Sequence, residues 1–156
     1  MSSLLTMPTV NIPQNIITEH INWHTKPGNP GQGGRAIPQG QPGSGAEFLN
    51  WHNGFISRYK QWRKQNGEPA IKAWSKIPKK LNPIPPNLNP PDAMAFNTLD
   101  SFGIFLEGGV HVILHTRAAD VYNEPILASF ESPRSSYFWK LHGLIDKWRK
   151  NWVKAH

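Results

Sequence analysis

Six of the seven histidines in this 156-residue chain follow one repeated pattern, and histidine is a common metal ligand. Two stand four residues apart and a single one follows, and the same arrangement recurs later. The six are His20, His24, His52, His111, His115 and His142. Residues four apart share one face of an α-helix, so each pair can direct two imidazoles at one ion. The pattern therefore predicts metal binding.

The kind of metal is narrowed by the ligands that the chain can offer. It has no cysteine, which excludes thiolate ligands and disulfide bonds. Sites made of imidazole suit copper, zinc or iron, whereas magnesium and calcium prefer oxygen. A helix-borne zinc protease needs glutamate directly after the first histidine of a pair, but Ile21 and Val112 stand there. Hydrolysis at such a site is not expected, and copper, zinc and iron all stay open.

Four helical segments must position these histidines, and glycines and prolines separate them. The first is predicted from about residue 14 to 25 and the second from about 44 to the sequence "QNGEP". The third begins at an N-cap at Asn97 or Thr98 and continues to about His115. The fourth follows Ser132-Pro133 and continues to the C-terminus. Between the helices lie a Gly/Pro-rich stretch, "KPGNPGQGGRAIPQGQPGSG", and a Pro-rich stretch, "IPKKLNPIPPNLNPPDAMAF".

The connections and the chain length together indicate the architecture. Prolines exclude the Pro-rich stretch from helix interiors and central strands, so we expect an irregular crossing over the surface. Long connections within a helical core are an established arrangement. We therefore expect residues 1–156 to form one mainly α domain, a four-helix bundle whose helices carry the metal ligands. The doublet Gly108-Gly109 in the third helix predicts close approach by another backbone or a local break.

Two of the histidines share a helix face with aromatic residues. His52 lies at helical spacing from Phe55, and His142 from Phe138, so both imidazoles should point toward the interior. A single histidine on such a face is usually a core residue satisfied by hydrogen bonds, but six directed at one interior are harder to satisfy without metal. The aromatic side chains expected in the core are Phe48, Phe55, Tyr59, Trp139 and Trp148.

The composition of the chain says less about its partners than the histidine pattern says about metal binding. The formal charge of +7 could attract phosphates or acidic surfaces, although an ordinary solvated basic face is the explanation we prefer. A basic, aromatic-rich binder of nucleic acid or membrane surfaces is thus an alternative, but it leaves the histidine pattern unexplained. No apolar run is long enough to span a membrane, and the N-terminal sequence lacks the features of a secretory signal. The expected location is the cytoplasm.

The segments around the histidines resemble those of the type 3 dicopper proteins: tyrosinases, catechol oxidases, phenoloxidases and haemocyanins. "GAEFLNWHNGFISRY" is similar to the family segment FLxWHRxYLxxFE and would make His52 the last ligand of the first copper. "YFWKLHGLIDKWRKNW" resembles the segment that supplies the last ligand of the second copper, here His142. "EHINWH" resembles the opening of the first site and "FLEGGVHVILH" that of the second. The resemblance thus implies two copper ions with three histidines each.

As function, the resemblance implies that dioxygen binds between two coppers and that phenols or o-diphenols are oxidised to quinones. It also implies a small phenolic substrate and leaves room for a separate copper-loading protein. Many family members have asparagine directly after the first histidine of the second site, where this chain has Val112. That departure favours catechol oxidation over monophenol hydroxylation. A non-catalytic copper or oxygen-binding protein with the same ligands is the alternative.

Two acidic residues near the second site leave the ligand set open. In a different alignment with the family, Glu107 takes the first ligand position and His111 the second, which leaves His115 surplus. We prefer His111 and His115. Glu107 and Asp146, each one helical turn from a histidine, are otherwise candidates to hydrogen-bond the ligands or cap a helix.

Overall fold

The computed structural model describes residues 9–156, and α-helices make up most of this part of the chain. The helices are α1 (Gln14–Thr25), α2 (Ser44–Gln65), α3 (Leu99–Gly108), α4 (Val110–Val121) and α5 (Ser136–Ala155). Because α3 and α4 follow each other directly, they correspond to the single third helix of the sequence prediction. The mainly helical, bundle-like class is confirmed. Within the described residues, no helix has the length and apolar character needed to span a membrane.

Local sequence signals explain where the helices begin. Thr98 caps α3, because its hydroxyl oxygen accepts a hydrogen bond of 3.0 Å from the amide of Ser101. Ser135 caps α5 in the same way, accepting from the amide of Tyr137 at 3.1 Å. Helix α2 follows Gly43, which has a φ of 94°, a left-handed conformation that glycine adopts without penalty.

The glycine doublet of the third segment marks a break, which is one of the two predicted outcomes. Gly109 leaves helical geometry between α3 and α4, and α4 then continues beyond His115 to Val121. The close backbone approach occurs elsewhere, between α2 and α3. A Cβ added to Gly103 would lie 2.1 Å from the carbonyl oxygen of Gly45, so only glycine fits at this contact.

Aromatic side chains fill the core between α2 and α5, as predicted. Phe48, Phe55, Tyr59, Trp139 and Trp148 are all buried. The ring of Trp139 contacts Phe55 and Tyr59 at centroid distances of 5.3 and 4.3 Å, which packs the two helices together.

The two long connections pack more closely than expected. The Gly/Pro-rich stretch contains one short 3-10 turn, Pro30–Gln32, and buries Arg35. The Pro-rich stretch is irregular, as predicted, but the expectation that it only crosses the surface is wrong. It places four apolar side chains in the core: Ile77, Leu81, Ile84 and Leu88.

Candidate metal centre

Two groups of three histidines converge inside the bundle. The first triad consists of His20 and His24 from α1 and His52 from α2, and the second consists of His111 and His115 from α4 and His142 from α5. Within each triad, one ring nitrogen from every histidine lies within 4.8 Å of the other two. Each triad could therefore hold a metal ion. The structure brings together all six histidines that the sequence singled out and leaves His156 exposed at the C-cap of α5.

Hydrogen bonds to backbone carbonyls orient four of the six rings. In each case the Nδ1 atom is hydrogen-bonded to a carbonyl oxygen: His20 to Phe130 (2.7 Å), His52 to Phe48 (2.9 Å), His111 to Glu107 (3.2 Å) and His115 to Leu127 (2.7 Å). A carbonyl oxygen only accepts, so each Nδ1 must carry the proton. The Nε2 atom of each ring then has a free lone pair, which is the form that binds metal.

Both triads contain a pair of Nε2 atoms at the separation expected for two ligands of one ion. The Nε2 atoms of His20 and His24 are 3.1 Å apart, and so are those of His115 and His142. Metal-imidazole bonds of about 2.0 Å that meet at about 100–110° place their nitrogens about 3.1–3.3 Å apart. Without an ion, one ring of each pair must instead donate a proton to the other. The spacing fits either arrangement.

His52 decides between these arrangements in the first triad. Its Nδ1 donates to Phe48 O, and its Nε2 is buried with no hydrogen-bond partner within residues 9–156. A buried polar atom without a partner costs on the order of 1–3 kcal/mol. A metal ion shared with His20 and His24 would satisfy this nitrogen, which makes the donor set fit a cation better than a hydrogen-bonded core.

Burial keeps all six imidazoles neutral. It lowers the pKa of His20 to about 3 and that of His115 to about 4. Burial also lowers the pKa values of His24, His52, His111 and His142 far below the ordinary range, and neighbouring histidines lower them further. Metal binding requires neutral imidazole. Because burial keeps the rings neutral, no histidine has to lose a proton at neutral pH before it can bind a metal ion.

The two triads touch each other. The rings of His52 and His142 stack with their centroids 4.7 Å apart and their planes 12° apart. His142 also contacts His111 within the second triad, at a centroid distance of 5.0 Å. Two ions held by these triads would therefore be neighbours in one centre.

The carboxylate of Glu107 is paired with Arg35. Its carboxylate forms a two-pronged ion pair with the buried guanidinium of Arg35, at 2.7 and 3.0 Å, while its backbone carbonyl accepts from His111. Burial raises the pKa of Glu107, and the hydrogen bonds and charge of Arg35 oppose that shift. The guanidinium also lies 4.4 Å from the ring centre of Trp23, next to the first triad. The sequence analysis did not identify Arg35.

The carboxylate of Asp146, one helical turn after His142, also has other partners. Its carboxylate accepts hydrogen bonds from the side-chain amide of Asn53 at 3.1 and 3.2 Å and from Arg149 at 2.8 Å. The Nδ1 atom of His142 has no hydrogen-bond partner, so Asp146 does not hold this ring. Instead it joins α5 to α2 directly beside His52.

A cavity of about 200 Å³ opens beside the histidines. Its lining residues are His20, His24, His111, Val112, His115, Thr116, Leu127, Ala128, Ser129, Phe130 and Ser132. The ring of Phe130 lies parallel to that of His24, with centroids 4.8 Å apart and planes 11° apart. Phe130 and Leu127 come from the connection between α4 and α5, which periodicity does not describe, so sequence reasoning missed both.

Comparison of the chain with protein-family models, with curated proteins and with solved structures found no match.

Proposed function

We propose that the protein is a copper-dependent oxidoreductase that uses dioxygen to oxidise phenols or o-diphenols to quinones at a dinuclear copper centre. The observation that carries this proposal is the pair of all-histidine triads in ring contact, beside one cavity open to small molecules. The ligands would be His20, His24 and His52 for one ion, and His111, His115 and His142 for the other. The ion pair with Arg35 makes the carboxylate of Glu107 a poor ligand, which favours His115 over it.

Copper suits this donor set better than the other metals that bind imidazole. Neutral nitrogen ligands accept copper in both of its common oxidation states, and the chain has no thiol that bound oxygen could oxidise. Two copper ions held by these triads would supply one-electron changes at each ion, which together transfer two electrons from a diphenol to dioxygen. Backbone carbonyls hold the rings of His20, His52 and His115, from α1, α2 and α4, each in one tautomer.

The cavity supports an oxidase over a copper or oxygen carrier of the same fold. A carrier needs room for dioxygen alone, whereas about 200 Å³ beside the ligands accommodates an aromatic ring. The lining is mainly apolar, which favours entry of such a ring and exclusion of water. Val112 at the cavity offers no polar group to orient a monophenol or a water molecule, which favours diphenol oxidation.

The proposal is tested by loading the purified protein with copper under reducing conditions and then admitting oxygen. Quinone formation from catechol, with matching oxygen uptake and two coppers per chain, is the expected result. Oxygen binding with no quinone from any catechol would select the carrier. One copper per chain would refute the dinuclear centre and favour a second site that lacks a histidine.

A further inference from the structure

We infer that the substrate is an uncharged, single-ring phenol or catechol, selected by a cavity without charged side chains in which Val112 and Phe130 form an apolar rim. This inference rests on the proposed function, because it names the substrate class of the same site. The inference comes from the chemistry and size of the cavity. If it holds, the protein discriminates against catechols that carry a carboxylate or an ammonium group.

The cavity lining contrasts with the rest of the molecule. The chain has a formal charge of +7, yet among the described residues no lysine, arginine, aspartate or glutamate lines the cavity. The four histidines that line it are the proposed metal ligands. A charged substituent that enters must therefore give up hydration without gaining an oppositely charged side chain, which is costly in an apolar environment.

Two of the three hydroxyl groups in the lining are already engaged, and the third, that of Ser132, is buried without a hydrogen-bond partner among the described residues. The hydroxyl of Thr116 donates to the carbonyl of Val112 at 3.1 Å, and that of Ser129 donates to the carbonyl of Ile126 at 2.8 Å. Neither hydroxyl proton is free to bind a carboxylate. The lining thus offers apolar contact but little compensation for charge.

Two side chains with large exposed apolar surfaces stand at the cavity. Val112 on α4 and Phe130 before α5 each expose 47% of their surface, although the rest of the aliphatic and aromatic side chains are mostly buried. Contact with an aromatic ring would cover this surface, which is the favourable direction for the hydrophobic effect. Val112 and Phe130 therefore favour binding of substrates with an apolar ring.

The volume limits the substrate to one ring. A protein cavity of about 150 Å³ is known to accept benzene, so about 200 Å³ accommodates a ring with one or two small substituents. A second fused or linked ring would extend into solvent and bury little additional surface.

Three catechols of equal length and different charge test the inference. Hydroxytyrosol is neutral, dopamine is a cation and dihydrocaffeate is an anion, and all three carry the charged or neutral group on a two-carbon chain. For the copper-loaded protein, we expect kcat/KM for hydroxytyrosol to exceed that for each charged catechol by at least about tenfold. For the metal-free protein without oxygen, calorimetric binding should give the same order of affinity.

Substitutions at Val112 provide the sharper test, with a matched control on α5. Val112→Lys should raise the preference for dihydrocaffeate, and Val112→Asp should raise that for dopamine, each by about tenfold relative to hydroxytyrosol. Val153→Lys places the same charge at a helical valine that is 52% exposed and outside the cavity lining, and should leave the preferences unchanged.

The outcomes separate the two claims. If the three catechols bind and react equally well and the Val112 variants change nothing, the inferred substrate class is wrong while the oxidase stands. If the copper-loaded protein oxidises none of them, the proposed function fails, and the binding affinities of the metal-free protein still decide whether the cavity selects uncharged rings.

Discussion

The imidazoles of His52 and His142 lie face to face, with ring centroids 4.7 Å apart, and each is the third member of a different triad. One contact therefore joins the α2 member of the first triad to the α5 member of the second. Because both rings are buried and packed against aromatic neighbours, the same helix pair would set the positions of two ions held by these triads.

Loss of His52 should lower the copper content from two ions per chain to about one. The variant His52→Ala removes the buried Nε2 that completes the first triad and leaves the second triad intact. Metal analysis after loading and desalting measures the change. His156→Ala removes an exposed histidine outside both triads and should retain two coppers. Two coppers bound to His52→Ala would show that α2 does not carry a ligand.

The buried Arg35–Glu107 pair should contribute strongly to stability. Arg35→Met leaves the carboxylate of Glu107 buried without its partner and should lower the free energy of unfolding by about 3–5 kcal/mol. The double variant with Glu107→Gln should recover part of this loss, which urea denaturation of the four proteins in the cycle would measure.

An exposed pair serves as the control for that cycle. Arg134→Met breaks the surface ion pair between Arg134 and Glu131. Because both side chains are partly solvated, the substitution should lower the free energy of unfolding by less than about 1 kcal/mol. Equal losses for Arg35→Met and Arg134→Met would mean that the buried pair has no special role in holding the Gly/Pro-rich connection against α3.

The metal-free protein should lose stability as the pH falls below about 6.5. In the folded chain the pKa is about 3 for His20 and about 4 for His115, whereas both have the ordinary value of 6.5 when unfolded. The unfolded chain therefore binds more protons below pH 6.5, and each of these histidines lowers the free energy of unfolding by roughly 1.4 kcal/mol per pH unit until its folded pKa is reached.

Urea denaturation at about pH 7.5 and about pH 5.5 measures this effect before most carboxylates titrate. His115→Gln keeps a donor for the Leu127 carbonyl and removes one titrating group, so its loss between the two pH values should be smaller by about 1 kcal/mol. A free energy of unfolding that is the same at both pH values would contradict the burial of neutral imidazoles.

Gly103 should be intolerant of any side chain. A Cβ there would meet the carbonyl oxygen of Gly45 at 2.1 Å, so Gly103→Ala must separate α2 from α3 and should cost about 1–3 kcal/mol. Gly108→Ala is the matched control near the end of the same helix, since its Cβ would meet only the side chain of Gln39 at 3.8 Å. Thermal unfolding should show a large decrease in Tm for the first variant and little or none for the second.

Much of the fold follows from local sequence signals. The apolar and aromatic spacing predicted α1, α2 and α5, and Thr98 marked the beginning of α3, because these features act within one or two helical turns. Gly108-Gly109 indicated a break for the same reason. The predicted aromatic core is also confirmed, since helical periodicity alone places Phe55 and Trp139 on inward faces.

The surroundings of the histidines depend on contacts between residues far apart in the chain. The carbonyl that orients His20 belongs to Phe130, 110 residues away, and the partner of Glu107 is Arg35, 72 residues away. Both partners lie outside regular helices, where no period relates one residue to another. The packing of the Pro-rich connection was missed because its prolines exclude regular structure but do not exclude burial of Leu81 or Ile84.

The most direct test of the dinuclear centre is the electron paramagnetic resonance spectrum of the copper-loaded, air-oxidised protein together with its copper content. Two Cu(II) ions held in one centre by these triads would couple their electron spins. We therefore expect two coppers per chain with almost no copper resonance signal. One copper per chain, or two coppers that both give the full signal of isolated Cu(II), would contradict a single centre built from His20, His24, His52, His111, His115 and His142.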